Sequence, residues 1–206
     1  LREESIDYLA KSLTEDDWDN DGLPDPNAGV ARALGYLSDG QASEIDILRV
    51  YADSLYSLHD QRKYEEAIQV YRELIRRAPL APNAIESQRQ IVKILDILRD
   101  IDGAAFERDR MATLFGPDSE WARVNRDDPG LLREAEKAVE VAMRERALWH
   151  HQRAQELKTQ GRLEENPELL VQAFDQYAKA AAAYEDYVAR FPNEPTSYDM
   201  RFYRAE

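Results

Sequence analysis

One stretch limits the folds open to this chain more than any other: Tyr64 to Pro79, reading YEEAIQVYRELIRRAP. Tyr64, Ala67, Ile68, Tyr71, Leu74 and Ile75 recur at steps of three and four, so a single apolar stripe lies along an otherwise charged helix that Pro79 stops. A helix of this length is marginal alone and must bury its stripe on neighbours. The chain must therefore supply other helices with faces of the same kind.

It does so on both sides of the stretch. Glu3 to Leu13 reads as a helix with Ile6, Leu9, Ala10 and Leu13 on one face; the loop DDWDNDGLPDPNAG follows, then helical spacing from Ala28 to Leu37 with a Gly40 stop. Ser43 is the expected N-cap of a helix whose face is Ile45, Leu48, Tyr51, Ala52, Leu55 and Leu58, and His59 to Lys63 is its polar turn. After Asn83 comes a face of Ile91, Ile94, Leu95, Leu98 and Ile101, a break at Asp102-Gly103, and a helix from Ala104 to Phe115. A long connection from Pro117 to Gly130 leads to helical spacing from Leu131 to Gln160. Gly161 to Pro167 reads as a turn, and Leu170, Phe174, Tyr177, Ala181, Tyr184, Val188 and Phe191 form the next face, up to Pro192. TSYDMRFYRAE closes the chain as a capped helix. Its Met200 and Tyr203 form an apolar face for which the sequence offers no partner, so self-association through this helix is one expectation.

Composition agrees with an all-α chain. Apolar residues make up 43% and charged residues 33%, while glycine and proline are scarce, which suits amphipathic helices better than sheets joined by many turns. The net charge of −14 argues against nucleic acid, because a protein that tracks phosphates needs a basic face. Ten of those negative charges sit between Leu1 and Asp60, which carries fourteen acids against four bases, so a cation or a basic partner is expected there first. Cysteine is absent, which removes disulfides, thiolate metal sites and thiol nucleophiles. No apolar run is long enough for a transmembrane segment. Leu1 enters directly into helical sequence, and the chain reads as a piece of a longer protein.

The helical segments also resemble one another. Ala67, Tyr71 and Pro79 have the same mutual spacing as Ala180, Tyr184 and Pro192, and Ala105 to Pro117 repeats the outer interval. This pattern resembles the tetratricopeptide repeat (TPR), in which a small residue admits the first helix, an aromatic four residues on fills the seam and proline ends the unit. The resemblance implies an α-solenoid of about four helical hairpins and the start of a fifth. The units lie roughly at 1–40, 43–79, 83–117, 130–192 and 195–206, in a single repeat domain. The first unit lacks the Tyr and Pro, and Asp109 replaces the aromatic of the third. AAAAYEDYVARFPNEPTSYDMRFYRAE is similar to the subfamily of bacterial envelope proteins, and the acidic loop and stretched fourth unit look like the large TPR proteins of gliding bacteria.

What the resemblance implies about function is a scaffold or adaptor in a bacterial cell-envelope assembly, with a protein or peptide partner in the concave groove and a periplasmic or envelope location. The alternatives are a cytoplasmic location and a docking or regulatory region of an enzyme whose catalytic domain lies elsewhere. A calcium-stabilised structural module is a third reading. No phosphate loop, nucleophile elbow or zinc motif is present, so no catalytic residue is named and the chain is read as a non-enzyme.

Two constellations remain. Asp17, Asp19, Asp21, Gly22 and Asp25 present carboxylates at alternate positions around a glycine turn, as calcium loops do, with Leu23 supplying a carbonyl. The closing bidentate Glu is missing, since Ala28 stands there, so any Ca²⁺ site is expected to be weak, with a dissociation constant of about 10⁻⁴ to 10⁻³ M. The competing account is a solvated turn. Arg49, Asp53 and Tyr56, on the polar flank of one first helix, are the candidates for partner binding, with Tyr36, Tyr198 and Tyr203 as further aromatics to follow. Trp18 and Trp121 lie outside every stripe, and each is either an exposed anchor or packed back on the helices. His150 and His151 are read as a surface or packing pair.

Overall fold

A computed structural model of the chain describes residues 2–17, 20–23, 25, 28–38 and 41–205. Among them there is no β-strand: ten helices account for the regular structure, so the protein is all-α. The helices are α1 (Arg2–Ser12), α2 (Val30–Tyr36), α3 (Ala42–Ser57), α4 (Gln61–Arg77), α5 (Ala84–Leu98), α6 (Ile101–Phe115), α7 (Glu120–Val124), α8 (Pro129–Leu163), α9 (Pro167–Arg190) and α10 (Thr196–Ala205). Among the described residues no helix is long and apolar enough to cross a membrane. The chain divides into two compact units, residues 1–104 and 105–206, and the division falls within α6.

In the first unit α3 packs on both α1 and α4, and α4 packs on α5. α4 is the centre because it is buried on two flanks at once. Tyr64, Ala67, Ile68, Val70, Tyr71, Leu74 and Ile75 are all buried, and Ala67 and Val70 are fully so. Its start is fixed by Asp60, whose carboxylate accepts from the backbone N–H groups of Arg62 and Lys63. Its end carries Arg76 and Arg77, which suit the negative pole of the helix and both bond the Glu73 carboxylate at 2.6 Å. Arg77 also reaches Glu44 at 3.5 Å and donates to the carbonyl of Leu37, tying α4 to the ends of α2 and α3. These hydrogen bonds hold the Glu73 carboxyl down at about 2, with Arg76 the larger cause.

The second unit is organised on the α8 and α9 pair. α8 runs 35 residues, roughly 52 Å at the helical rise. It buries Ala135, Val139, Ala142, Met143, Ala147, Ala154, Leu157 and Gly161, and α9 answers with Ala173, Ala180, Ala183, Tyr184 and Tyr187. Gly161 marks the closest approach: a Cβ there would lie 2.9 Å from a Leu170 methyl and 3.1 Å from the Leu169 Cβ. α6 is joined to this pair by ion pairs, Arg108 with Glu145 at 2.8 Å and Arg146 with both Asp109 and Asp186. α10 packs on α9.

Several boundaries differ from those read in the sequence, each for a local reason. Ser43 lies inside α3 and makes no cap, because the helix already begins at Ala42 after Gln41. The break expected at Asp102-Gly103 occurs at Arg99, which takes a left-handed conformation (φ 58°), while the Asp100 carboxylate accepts from the Gly103 N–H and starts α6. Ile101, placed in the preceding stripe, is exposed. Gly161 is helical, and the turn falls instead at 164–166, with Glu165 at φ 50° and Asn166 capping α9. The connection from Pro117 to Gly130 contains α7, started by the Ser119 hydroxyl accepting from the Ala122 N–H. Phe174, assigned to the α9 core face, is 77% exposed.

Trp121 is packed rather than displayed. It is 1% exposed and meets Phe115 edge to face, with ring centroids 5.4 Å apart. Trp121→Ala should therefore destabilise the second unit by about 3–5 kcal/mol, read as a lower denaturant midpoint. Glu73→Gln should lower stability at pH 7, where the wild-type carboxylate is ionised. Because the folded value lies below the ordinary value near 4.5, its contribution is complete above 4.5 and is lost as pH falls towards 2. Urea titrations of both proteins should converge near pH 2 and separate near neutrality.

Candidate functional site

The three residues proposed for partner binding stand on successive turns of α3. Arg49 lies 4.0 Å from Asp53, and both side chains are about half exposed. The Asp53 carboxylate accepts a 2.6 Å hydrogen bond from the Tyr71 hydroxyl, which comes up from α4. Burial first, and then this hydrogen bond, push the Tyr71 phenol well above its ordinary value, so it stays protonated and keeps donating. Tyr56 packs its ring 5.7 Å from Tyr64 and 6.0 Å from His59. His59 has the left-handed conformation (φ 54°) at the end of the turn and lies 2.9 Å from the Tyr64 hydroxyl through Nδ1.

α5 meets α3 beside this site. The Lys93 ammonium sits 4.9 Å above the centre of the Tyr56 ring, a cation–π contact between the two helices. At the other end of the pair a small cleft is lined by Ile45 and Arg49 from α3, Leu74 and Ala78 from α4, and Asn83, Ala84 and Ser87 from the start of α5. Arg49, Asp53, Tyr56 and Lys93 thus form one polar and aromatic strip across adjacent helices. Lys93 was not singled out in the sequence because the contact that selects it joins residues 37 positions apart.

The acidic loop is anchored at its start. Asp16 pairs with Lys63 at 2.8 Å; Lys63 also bonds Glu66 at 3.2 Å, and Arg62 reaches Glu66 at 3.2 Å. The Tyr51 hydroxyl is buried beside these acids without a hydrogen-bond partner among the described residues, and burial, with the charges of Glu66 and Asp16, pushes its phenol well up. Within the loop the two Asp17 oxygens accept from the N–H groups of Asp21 at 3.1 Å and Gly22 at 2.8 Å, and Asp21 accepts from the Leu23 N–H at 2.8 Å. Gly22 has φ 84°, which glycine adopts without strain. Asp25 closes the loop by donating its N–H to the Asp16 carbonyl at 2.6 Å. Asp19 and Trp18 lie outside the described residues, and among those described no three acidic or histidine side chains converge at metal-ligand spacing.

In the second unit His150 bonds Gln176 at 2.8 Å, and His151 lies 3.0 Å from the Tyr184 hydroxyl, so both histidines pack against α9. His151 is ringed by Tyr177, Tyr184 and Tyr203, with centroids 5.8 to 6.0 Å away. That contact bears on one expectation. Tyr203 of α10 touches His151 and Tyr184, and Met200 is 3% exposed, so part of the face expected to lack a partner meets α8 and α9, while Tyr203 itself remains exposed. Tyr198, Phe202 and Tyr203 are exposed large apolar side chains of α10, and Tyr36 of α2 is exposed as well.

Comparison of the chain with protein-family models, with curated proteins and with solved structures finds no match.

Proposed function

We propose that this protein is a helical-repeat scaffold of the TPR type, an adaptor in a bacterial cell-envelope assembly that presents the first helices of its pairs to an extended peptide or a partner helix. Two features support the repeat. Ala67 and Tyr71 in α4, and Ala180 and Tyr184 in α9, are all buried, and a proline follows two residues after each helix ends. In both pairs the tyrosine hydroxyl reaches back to the first helix, to Asp53 from Tyr71 and to His151 from Tyr184. The same sequence spacing thus performs the same task twice.

The observation that carries the functional reading is the strip of Arg49, Asp53, Tyr56 and Lys93 on neighbouring helices. A long peptide laid across parallel first helices meets such groups at regular intervals, and paired polar residues around an aromatic ring supply both orientation and contact area. Selection of random displayed peptides on the purified protein should enrich binders whose calorimetric affinity falls about tenfold in Tyr56→Ala and in Lys93→Ala. Tyr36→Ala, on a different helix, should leave affinity unchanged. Failure to enrich any peptide, or affinities indifferent to both substitutions, would sink the groove reading.

The loop geometry favours a second role, stabilisation by calcium. The Asp17 bonds and the positive φ of Gly22 set the turn that an alternating carboxylate loop requires. A ligand that binds only the folded state, at tenfold excess over its dissociation constant, stabilises by about 1.4 kcal/mol, a rise in melting temperature of about 3–5 °C for a chain of this size. Calcium at millimolar concentration should produce that rise in the wild type and none in Asp19→Ala; equal melting with and without calcium would remove this role.

A further inference from the structure

The far end of the α8 and α9 hairpin carries a cluster of exposed apolar side chains in the second unit. Leu163 at the end of α8 is 80% exposed, and on α9 Val171 is 70% and Phe174 77% exposed, with Leu170 partly so. These are not strays from a core face. α9 buries Ala173, Ala180 and Ala183 against α8, so Val171 and Phe174 fall on the opposite flank at a spacing of three. Ala178 and Ala182 continue that flank at helical spacing and are exposed too. A stripe of large side chains that runs on into alanines is the surface a second helix approaches closely.

The surroundings specify the character of that helix. Glu164, Glu165 and Glu168 are interleaved with the exposed apolar residues, all three are exposed, and none forms an ion pair among the described residues. Arg162 is the basic residue of the same tip, and Asp175 on the flank is already paired with Lys179 at 2.7 Å. The tip therefore presents an acidic rim around an apolar strip. A second copy of the chain would bring the same glutamates and a further −14 of net charge. A partner helix with leucine-like residues on one face and lysine or arginine beside them would meet attraction at both levels.

We infer that the hairpin tip, centred on Val171 and Phe174 with Glu164, Glu165 and Glu168 as its rim, is a docking surface for a basic amphipathic helix. It is separate from the strip on α3 and α5 and does not depend on that strip binding anything.

The test uses the whole chain and a fluorescent synthetic helix of leucine and lysine about four turns long, with a leucine and glutamate peptide of the same pattern as control. Anisotropy should show binding of the lysine peptide that weakens with added salt, and at least tenfold weaker binding of the glutamate peptide. The double substitution Val171→Ser and Phe174→Ser, which removes only exposed side chains, should lower affinity about tenfold with an unchanged circular dichroism spectrum. Tyr56→Ala should leave it intact, which separates this surface from the groove. No binding, equal binding by the double variant, or equal binding of the two peptides would overturn the proposal. So would sedimentation showing a dimer that Phe174→Ser disperses, since a second copy would then occupy the face.

Discussion

The first unit depends on a helix that is buried on two flanks. α4 has no room for a single-sided stripe: Tyr64, Ile68 and Ile75 lie with Ala67, Val70, Tyr71 and Leu74 in one core, and α3 and α5 both pack against it. Fully burying a side chain of this kind is worth about 1.5–3 kcal/mol, against a backbone ordering cost of about 1–2 kcal/mol per residue, so a helix this short persists only with partners on both sides. The consequence for function is geometric. With α4 beneath, Tyr56 of α3 meets Lys93 of α5, and Arg49 and Asp53 lie on the turns of α3 before Tyr56, without any of the four being in the core. The Tyr71 to Asp53 hydrogen bond then couples the filled seam to the displayed face, so packing fixes where the carboxylate points.

The second unit solves the same problem with small residues. Its α8 and α9 seam rests largely on alanine and Gly161, with Val139, Met143 and Leu157 beside them, and Tyr184 and Tyr187 enter it from α9. Tyr187 bonds Glu140 at 2.5 Å and Tyr184 bonds His151. An alanine seam buries little area per residue, and it leaves the larger apolar side chains of α9 on the outside. That is the physical origin of the exposed strip at Val171 and Phe174: a two-helix layer has one seam, and α9 carries apolar residues on two flanks.

This difference also explains what the sequence disclosed. The all-α class, the existence of α4 and α9 and the buried Ala and Tyr pairs were legible because large side chains at helical spacing coincide there with the core. Where alanine forms the core, counting large residues selects the wrong flank, and Phe174 was assigned inward for that reason. Glycine misled twice, at Gly103 and Gly161. In the first case the neighbouring Asp100 supplied a cap that started the helix early, and in the second the missing Cβ served a close approach rather than a turn. Trp121 belonged to no stripe because its helix is only five residues long and its partner, Phe115, lies before the turn. The candidate strip was half legible: the α3 residues follow from one helix's polar flank, whereas Lys93 needs the packing of α3 beside α5.

The acids of the loop and of the start of α4 fall into two populations with different consequences. Asp16 and Glu66 are spent on anchoring, since Lys63 neutralises both from a largely buried position and Arg62 reinforces Glu66; breaking such a pair leaves a charge that burial makes costly. Asp17 and Asp21 are engaged differently, accepting backbone N–H groups that shape the turn. Anchoring and turn-shaping are thus carried by different carboxylates. The Asp16 to Lys63 pair ties the start of the loop to the first turn of α4. Because the Asp25 N–H closes on the Asp16 carbonyl, the residue that pairs with Lys63 also sets where the loop returns.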